Sequence, residues 1–259
     1  MAAWDPNLYL RFEKERTQPA KDLVSRIELV DPKRIIDIGC GPGNSTAQLH
    51  GRWSQAEIMG IDNSEEMIRK AGNTYPDMKW AVHDITEDLS GFGLFDLVFS
   101  NAVIQWVPDQ RLLLRRLFAM LNPGGVLAVQ VPNAWAMPIS VAIREVAAES
   151  AYQSVLSGLD ETPCYQEPTF YYDVLAGLST DVYVWETTYL HALQDHEAIV
   201  EWYRSTGMKP YLDRLDEPGK ARFMDRVLRK IRISYPIQAD GHVLFPFRRV
   251  FFTAKRASE

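Results

Sequence analysis

A short apolar strand followed by three alternating glycines constrains this chain more than any other segment. Residues 35–38 are mostly isoleucine and predict a strand buried inside a sheet, and Gly39, Gly41 and Gly43 follow at once. Residues 44–46 (Asn-Ser-Thr) then offer side chains that could cap a helix. Glycine lets the backbone turn sharply and approach a ligand without a Cβ atom in the way. The segment therefore predicts a strand, a tight turn and a helix N-terminus arranged around a ligand.

Strand and helix patterns alternate through the first half of the chain, with short connections. Strand patterns occupy residues 35–38, 57–61, 78–82, 95–100 and 126–131. Helical patterns occupy residues 19–29, 44–52, 64–73 and 109–121. This alternation predicts an α/β protein with a Rossmann-like, doubly wound sheet, which two later strands extend to seven.

The pattern changes after Pro132. Helical patterns follow at about 138–152, 195–207 and 218–235, and strand patterns follow at 182–190 and 242–255. We expect an N-terminal arm and helix over residues 1–30, an α/β core over 31–135, a helical insertion over 136–178, and final strands over 179–259 with a second helical insertion at about 195–236. The two insertions would form a mostly helical cap over the ligand end of the sheet.

Composition narrows the functional classes. The net charge of −6 argues against a nucleic-acid partner, because such binding draws on a basic surface. With only two cysteines, we expect no disulfide framework. No segment has the roughly 18 consecutive apolar residues of a membrane helix. The first residues do not resemble a signal peptide. We expect a cytoplasmic protein that needs no more than a monomer. The histidines have no metal-ligand spacing, so we expect no metal.

The glycine spacing departs from that of a dinucleotide site. Such a site needs a third glycine where Asn44 stands, and Asp37 before the turn suits a cationic ligand better than a pyrophosphate. Asp62, about 20 residues after the turn, would suit the ribose hydroxyls of either kind of nucleoside. An NAD-linked oxidoreductase and a non-catalytic binding protein therefore remain alternatives.

Four segments resemble the class I S-adenosylmethionine-dependent methyltransferases. They are residues 36–43 at the glycine turn, 60–64 after the second strand, 83–85 after the third and 99–102 after the fourth. The resemblance implies S-adenosyl-L-methionine as cofactor. It also implies a set of cofactor-binding residues: Asp37, Gly39, Cys40, Gly41, Asn44, Asp62, Asn63, Met67, Asp84, Ile85 and Asn101.

Further motifs are similar to a branch of that family that forms methyl esters on small polycarboxylic acids. They include residues 4–6 (Trp-Asp-Pro), Gln105-Trp106 and residues 128–132. A carboxylate acceptor is already ionised at pH 7, so no general base and no catalytic side chain are expected, only alignment and exclusion of water. Arginines and hydroxyl donors would hold the other carboxylates. The predicted substrate residues are Tyr9, Arg11, Arg16, Gln105, Trp106, Arg144, Tyr171, Tyr172, His191, Trp202 and Arg204.

Overall fold

The computed structural model describes residues 13–159 and 163–258, which form two compact units. We call residues 13–132, 166–187 and 250–258 the sheet unit. The helical unit contains the described residues of 133–165 together with residues 188–249. Two predicted substrate residues, Tyr9 and Arg11, lie outside the described residues.

The sheet unit alternates strands and helices. Its strands are β1 (Arg34–Ile38), β2 (Glu57–Asp62), β3 (Lys79–Val82), β4 (Phe95–Asn101), β5 (Leu121–Pro132), and parts of β6 (Asp181–Leu193) and β7 (Val243–Lys255). Its helices are α1 (Glu13–Arg26), α2 (Asn44–Arg52), α3 (Glu65–Thr74), α4 (Gln110–Ala119) and, after the helical unit's first segment, a helix over Pro168–Ala176. Short 3₁₀ turns lie at Ser90–Phe92 and Ile104–Trp106.

The seven strands form one sheet in the order β3-β2-β1-β4-β5-β7-β6. The pairs β2–β3, β1–β2, β1–β4 and β4–β5 are parallel. The predicted α/β class and the seven-stranded, Rossmann-like sheet are confirmed. The chain winds outward in opposite directions from β1 and β4, and ligands bind sheets of this kind at the carboxyl ends of the strands beside that reversal.

Two local predictions about this unit were wrong. The first helix begins earlier than Pro19 and contains it, because α1 runs from Glu13 to Arg26. Residues 122–125 (Asn-Pro-Gly-Gly), which the sequence patterns place between the helix at 109–121 and the strand at 126–131, belong to β5, whose pairing with β4 shifts register between Phe95 and Leu97. An irregular strand accommodates proline and glycine that a regular ladder would exclude.

The core of the sheet unit consists of the inward faces of its strands and helices. Ile36 and Ile38 on β1 are fully buried, as are Val98 on β4 and Leu114 and Leu117 on α4. Such a doubly covered sheet explains why β1 is a continuous apolar run interrupted only by Asp37.

The helical unit has its own apolar core. Its helices are α5 (Pro138–Ala147), α6 (Ser150–Leu156), α8 (His196–Arg204), α9 (Lys209–Leu212) and α10 (Glu217–Ser234). The label α7 is given to the Pro168–Ala176 helix, which belongs to the sheet unit. Ile139, Ile199, Trp202, Phe223 and Phe245 are almost completely buried and belong to one cluster. A separate core of this size provides rigid support for side chains that the unit presents at its surface.

Candidate functional site

The glycine turn after β1 has the conformation that its sequence requires. Gly39, Gly41 and Gly43 have φ angles of 70°, 55° and 92°, which side-chain-bearing residues rarely adopt. A Cβ atom on Gly39 would lie 2.3 Å from the Cγ2 atom of Val103, whereas a Cβ atom on Gly41 would meet nothing within 4 Å. Gly39 is therefore needed for packing, and Gly41 leaves open space above the backbone.

Asn44, Ser45 and Thr46 do not cap helix α2 in the way that the sequence predicts. Gly43 is the N-cap, and it has no side chain to accept a hydrogen bond. The Ser45 and Thr46 hydroxyls instead donate to Oδ2 of Asp37, at 2.6 and 2.7 Å. The N-cap prediction was wrong because the helix begins at Asn44, which places Ser45 and Thr46 inside its first turn and not at the cap position.

Asp37 is fully buried beneath the turn. Burial and, to a smaller extent, the charge of Asp62 raise the pKa of this carboxyl to about 6, against the opposing effect of the two hydroxyl donors. Its Oδ1 atom accepts no hydrogen bond from the described residues. A buried carboxylate with one unused oxygen would be stabilised by a nearby cation.

Asp62, at the end of β2, joins the turn to helix α3. Its Oδ2 accepts from the Gly41 amide at 3.0 Å, and its Oδ1 accepts from the Ser64 amide at 2.9 Å. Burial raises the pKa of Asp62, while the two backbone donors lower it. Each carboxylate oxygen keeps acceptor capacity, so the residue fits a pair of ribose hydroxyls beside the open space at Gly41.

Cys40 and Asn44 complete the turn. The Cys40 amide donates to the Ile61 carbonyl at 2.9 Å, and its side chain is 3% exposed. Burial raises the pKa of the Cys40 thiol well above its usual value, so this cysteine stays a neutral packing group. Asn44 is the first residue of α2 and its carbonyl accepts from Gln48.

The loop after β3 lies among residues that could enclose a flat ring. Asp84 accepts two hydrogen bonds from Thr86 and one from the Asn63 side chain, and these donors lower its pKa. Ile85 and Met67 are buried apolar side chains. A heterocycle with a polar edge requires apolar and polar neighbours of this kind, and the cofactor-binding roles of these residues remain predictions.

The end of β4 carries backbone strain and unused acceptors. Ala102 has a φ angle of 61°, the one positive value at a non-glycine position in the described residues. Gln105 donates to the Ala102 carbonyl at 2.7 Å, and neither its Oε1 atom nor Oδ1 of Asn101 has a hydrogen-bond donor among the described residues. Trp106 is half-buried beside them. Strain and unsatisfied polar atoms at a strand end are typical of a ligand site.

Other predicted substrate residues of the sheet unit have different surroundings. Tyr171 is 1% exposed, stacks on Phe252 with ring centroids 4.7 Å apart, and donates to the Gln110 side chain at 2.9 Å. These contacts account for Tyr171 as a core residue. Tyr172 is 51% exposed, and Arg16 on α1 is buried. Their substrate roles remain predictions.

The helical unit contains a small cleft with about 20 Å³ of free space, which we call the arginine–tyrosine cleft. This space holds about one water molecule, so a larger ligand would bind at the edge of the cleft. The Arg144 guanidinium stacks 3.7 Å from the centroid of the Trp135 ring and donates to the Trp135 carbonyl at 2.8 Å. The polar and aromatic residues that line the cleft are Trp135, Ser140, Arg144, Tyr165, Tyr203 and Tyr211. The cleft therefore includes one predicted substrate residue, Arg144.

The remaining predicted residues of the helical unit do not line this cleft. Trp202 is 2% exposed in the apolar core, with its ring 5.0 Å from that of His191. Burial lowers the pKa of His191 to about 4, and the positive charge of Arg249 lowers it further, so the imidazole is neutral at pH 7. Arg204 is half-exposed and forms an ion pair with Glu201 at 3.6 Å.

The cleft also shows residues that sequence reasoning missed. Tyr165, Tyr203 and Tyr211 come from three separate segments, so no local motif connects them. Arg249 on β7 is 4% exposed, whereas the preceding residue, Arg248, is only partly buried. A pair of arginines in a mostly apolar strand is the signal that could have singled out Arg249.

Two negative findings apply to residues 13–159 and 163–258. No cluster of three or more histidine, cysteine, aspartate or glutamate side chains could hold a metal ion there. No helix in the same residues is long and apolar enough to cross a membrane.

The fold of this chain is that of a methyltransferase. Residues 12–166, more than half of the chain, match the family model described as a methyltransferase domain. A solved structure, phosphoethanolamine N-methyltransferase 2 from Haemonchus contortus, aligns with a TM-score of 0.55 and 17% identity over 93% of this chain and 52% of that chain. This likeness shows the shared fold.

Full-length relatives narrow the family further. The chain is 43% identical over 264 residues to a trans-aconitate 2-methyltransferase from Methylobacterium radiotolerans, covering 100% of both chains. It is 41% identical over 260 residues to a trans-aconitate 2-methyltransferase from Escherichia coli O139:H28, covering 99% of both. The chain belongs to this methyltransferase family. Membership of this family favours methyl transfer over the alternative of an NAD-linked oxidoreductase.

Proposed function

We propose that this chain is an S-adenosylmethionine-dependent carboxyl O-methyltransferase that forms a monomethyl ester of trans-aconitate. The observation that carries the proposal is the pair of carboxylates at the glycine turn, the buried Asp37 and the partly buried Asp62, beside the open backbone of Gly41. Full-length similarity to proteins named trans-aconitate 2-methyltransferase supports the acceptor. Another small polycarboxylic acid is the alternative acceptor.

The residues at the turn fit a cationic nucleoside. Asp62 would accept the ribose hydroxyls, and Asp37 would place its negative charge near the ammonium group of the methionine part. Asn63, Met67 and Ile85 would surround the adenine ring. When bound, S-adenosylmethionine supplies a methyl group that its positively charged sulfur releases to a carboxylate oxygen.

The acceptor requires no deprotonation by the protein. A carboxyl group with a pKa near 4 is already an anion at neutral pH, so a general base adds nothing to the attack. The task of this chain is to hold two ligands in line and to exclude water, which can supply several kcal/mol of the barrier reduction. The unused acceptor atoms of Asn101 and Gln105, at the end of β4, are candidates for positioning groups.

The test is a transfer assay with methyl-labelled S-adenosylmethionine and a panel of polycarboxylic acids. We expect a base-labile methyl ester, formed most efficiently with trans-aconitate. Citrate and fumarate serve as comparison acids, and a reaction without acceptor serves as the control. If no acid in the panel yields a labelled ester, carboxyl methylation is refuted. If another acid is methylated more efficiently, the proposed substrate changes and the proposed reaction stands.

A further inference from the structure

We infer that Arg144 and Arg249, together with the Tyr165 hydroxyl, form the site of the helical unit that recognises the carboxylates of the acceptor that are not methylated. The inference rests on the proposed function, because it assigns the chain an acceptor with several carboxylates. It adds Arg249 and Tyr165 to Arg144, which the sequence already predicts as a substrate residue.

The first argument is the way in which Arg144 is held. Its guanidinium lies flat against the exposed ring of Trp135 and donates one N–H group to the Trp135 carbonyl. Stacking orients the guanidinium plane, and arginine has five N–H donors, so others stay available for the two oxygens of a carboxylate. This arrangement presents a fixed cation at the edge of the arginine–tyrosine cleft.

The second argument is that Arg249 places a buried positive charge in the same unit. Its side chain is 4% exposed, and its guanidinium lies 4.5 Å from the centroid of the Phe247 ring. The charges of both Arg144 and Arg249 act on the phenol of Tyr165. Tyr165 therefore lies within electrostatic reach of both arginines.

The third argument is that the tyrosines remain hydrogen-bond donors. Burial raises the pKa of Tyr165 and of Tyr203 well above the usual value and outweighs the opposing effect of the arginines. The Tyr203 hydroxyl already forms a hydrogen bond with the Ser140 hydroxyl at 3.3 Å, whereas Tyr165 lines the cleft together with Arg144. A neutral phenol and two guanidinium groups match the donor set that binds carboxylates.

These features select the chemistry of the ligand. The Arg144 guanidinium and the phenol donors line the cleft, and the buried charge of Arg249 acts on one of those phenols. Together they favour a small anion with at least two carboxylates over a neutral molecule. The acidic net charge of −6 makes such a cluster a local exception on this chain. Polycarboxylate recognition would then lie in the helical unit, and cofactor recognition in the sheet unit.

The experiment is calorimetric titration of trans-aconitate into the full chain saturated with S-adenosylhomocysteine. We expect Arg144→Gln to raise the dissociation constant for trans-aconitate at least tenfold, Arg249→Gln to raise it more, and Tyr165→Phe to raise it about threefold. Arg144→Lys, which keeps the charge without the fork of donors, should fall between the wild type and Arg144→Gln. Affinity for S-adenosylhomocysteine should stay within twofold in all four variants.

The matched control is Arg229→Gln, because Arg229 lies on α10 of the same unit, is 74% exposed and pairs with Asp225. Its affinity for trans-aconitate should equal that of the wild type. Thermal unfolding of each variant separates misfolding from lost recognition, and Arg144, at the cleft edge, tests the inference even if Arg249→Gln does not fold.

The outcomes separate the inference from the proposed function. If the wild type methylates trans-aconitate and folded Arg144→Gln and Tyr165→Phe bind it normally, the inference is overturned and the function stands. If the wild type binds trans-aconitate through these residues without methylating any polycarboxylate, the function fails and the site stands. Absence of trans-aconitate binding by the wild type overturns the inference.

Discussion

The glycine turn of the sheet unit and the arginine–tyrosine cleft of the helical unit are built from different parts of the chain. The turn consists mainly of backbone, with Gly39 and Gly41 in conformations that side chains resist and Asp62 tied to two amides. The cleft consists of long side chains such as Arg144 and Tyr165, which come from separate segments. A backbone site tolerates little change in sequence, whereas a side-chain site can change its ligand without a change of fold.

The strictest test of the backbone site is Gly39→Ala. The new methyl group would lie 2.3 Å from Val103 Cγ2, on a residue with a φ angle of 70°. Strain and overpacking together should lower the free energy of unfolding by about 4 kcal/mol and abolish S-adenosylhomocysteine binding. Urea unfolding and calorimetry measure the two effects.

Gly41→Ala and Gly51→Ala are the matched controls for that change. Gly41 has a positive φ angle but open space at its Cβ position, so alanine there should cost about 1 kcal/mol of stability and mainly reduce ligand affinity. Gly51 lies in helix α2 with nothing within 4 Å, so alanine there should be neutral or stabilising. Equal stability losses in all three variants would contradict the packing role of Gly39.

The second prediction concerns Asp37 and pH. Its pKa is about 6 in the folded chain, against 3.8 for an aspartate in water, so the folded chain binds more protons than the unfolded chain between pH 4 and pH 6. The contribution of Asp37 to the free energy of unfolding is therefore fully present below pH 4. This contribution, about 3 kcal/mol, is lost as the pH rises through 6. Asp37→Asn should remove this loss and be more stable than the wild type at pH 7, yet bind S-adenosylhomocysteine more weakly.

Urea unfolding at pH 4, 5, 6 and 7 measures the difference between wild type and Asp37→Asn. The difference should grow with pH across this window. A difference that is constant from pH 4 to pH 7 would mean that Asp37 has an ordinary pKa in the folded chain.

The third prediction concerns Asp62. Replacing it by alanine removes a charged acceptor and leaves the Gly41 and Ser64 amides without it, so affinity for S-adenosylhomocysteine should fall by about 1–3 kcal/mol. Asp62→Asn retains one acceptor oxygen, so its affinity for S-adenosylhomocysteine should fall less. Calorimetry that finds unchanged affinity in Asp62→Ala would show that the ribose does not contact this carboxylate.

The smallest effect is expected from Tyr171→Phe. The change removes the hydroxyl that donates to Gln110 in the core, so the free energy of unfolding should fall by about 1 kcal/mol without a change in the Michaelis constant for trans-aconitate. Tyr172→Phe, at a 51% exposed position, is the control for stability and should leave it unchanged. A raised Michaelis constant in Tyr171→Phe would restore this tyrosine to the substrate site.

The contrast between the two regions also explains what the sequence could predict. The turn follows from neighbouring residues, so Gly39, Asp37 and Asp62 are recognisable as a local pattern. The roles of Ser45 and Thr46 were misjudged because their partner, Asp37, meets them only through folding. Tyr165 and Arg249 are 84 positions apart in the sequence (249 minus 165), and no periodicity connects them. Their association depends on the packing of the helical unit.

The central claim is that each region binds its own ligand, and amide hydrogen exchange tests it most directly. S-adenosylhomocysteine alone should slow exchange at residues 39–46 and 62–67 in the sheet unit. Addition of trans-aconitate should then slow exchange at residues 135–144 and 203–211 in the helical unit, and Arg144→Gln should remove this second protection. Protection by trans-aconitate that is confined to the sheet unit, or that persists in Arg144→Gln, would contradict the account.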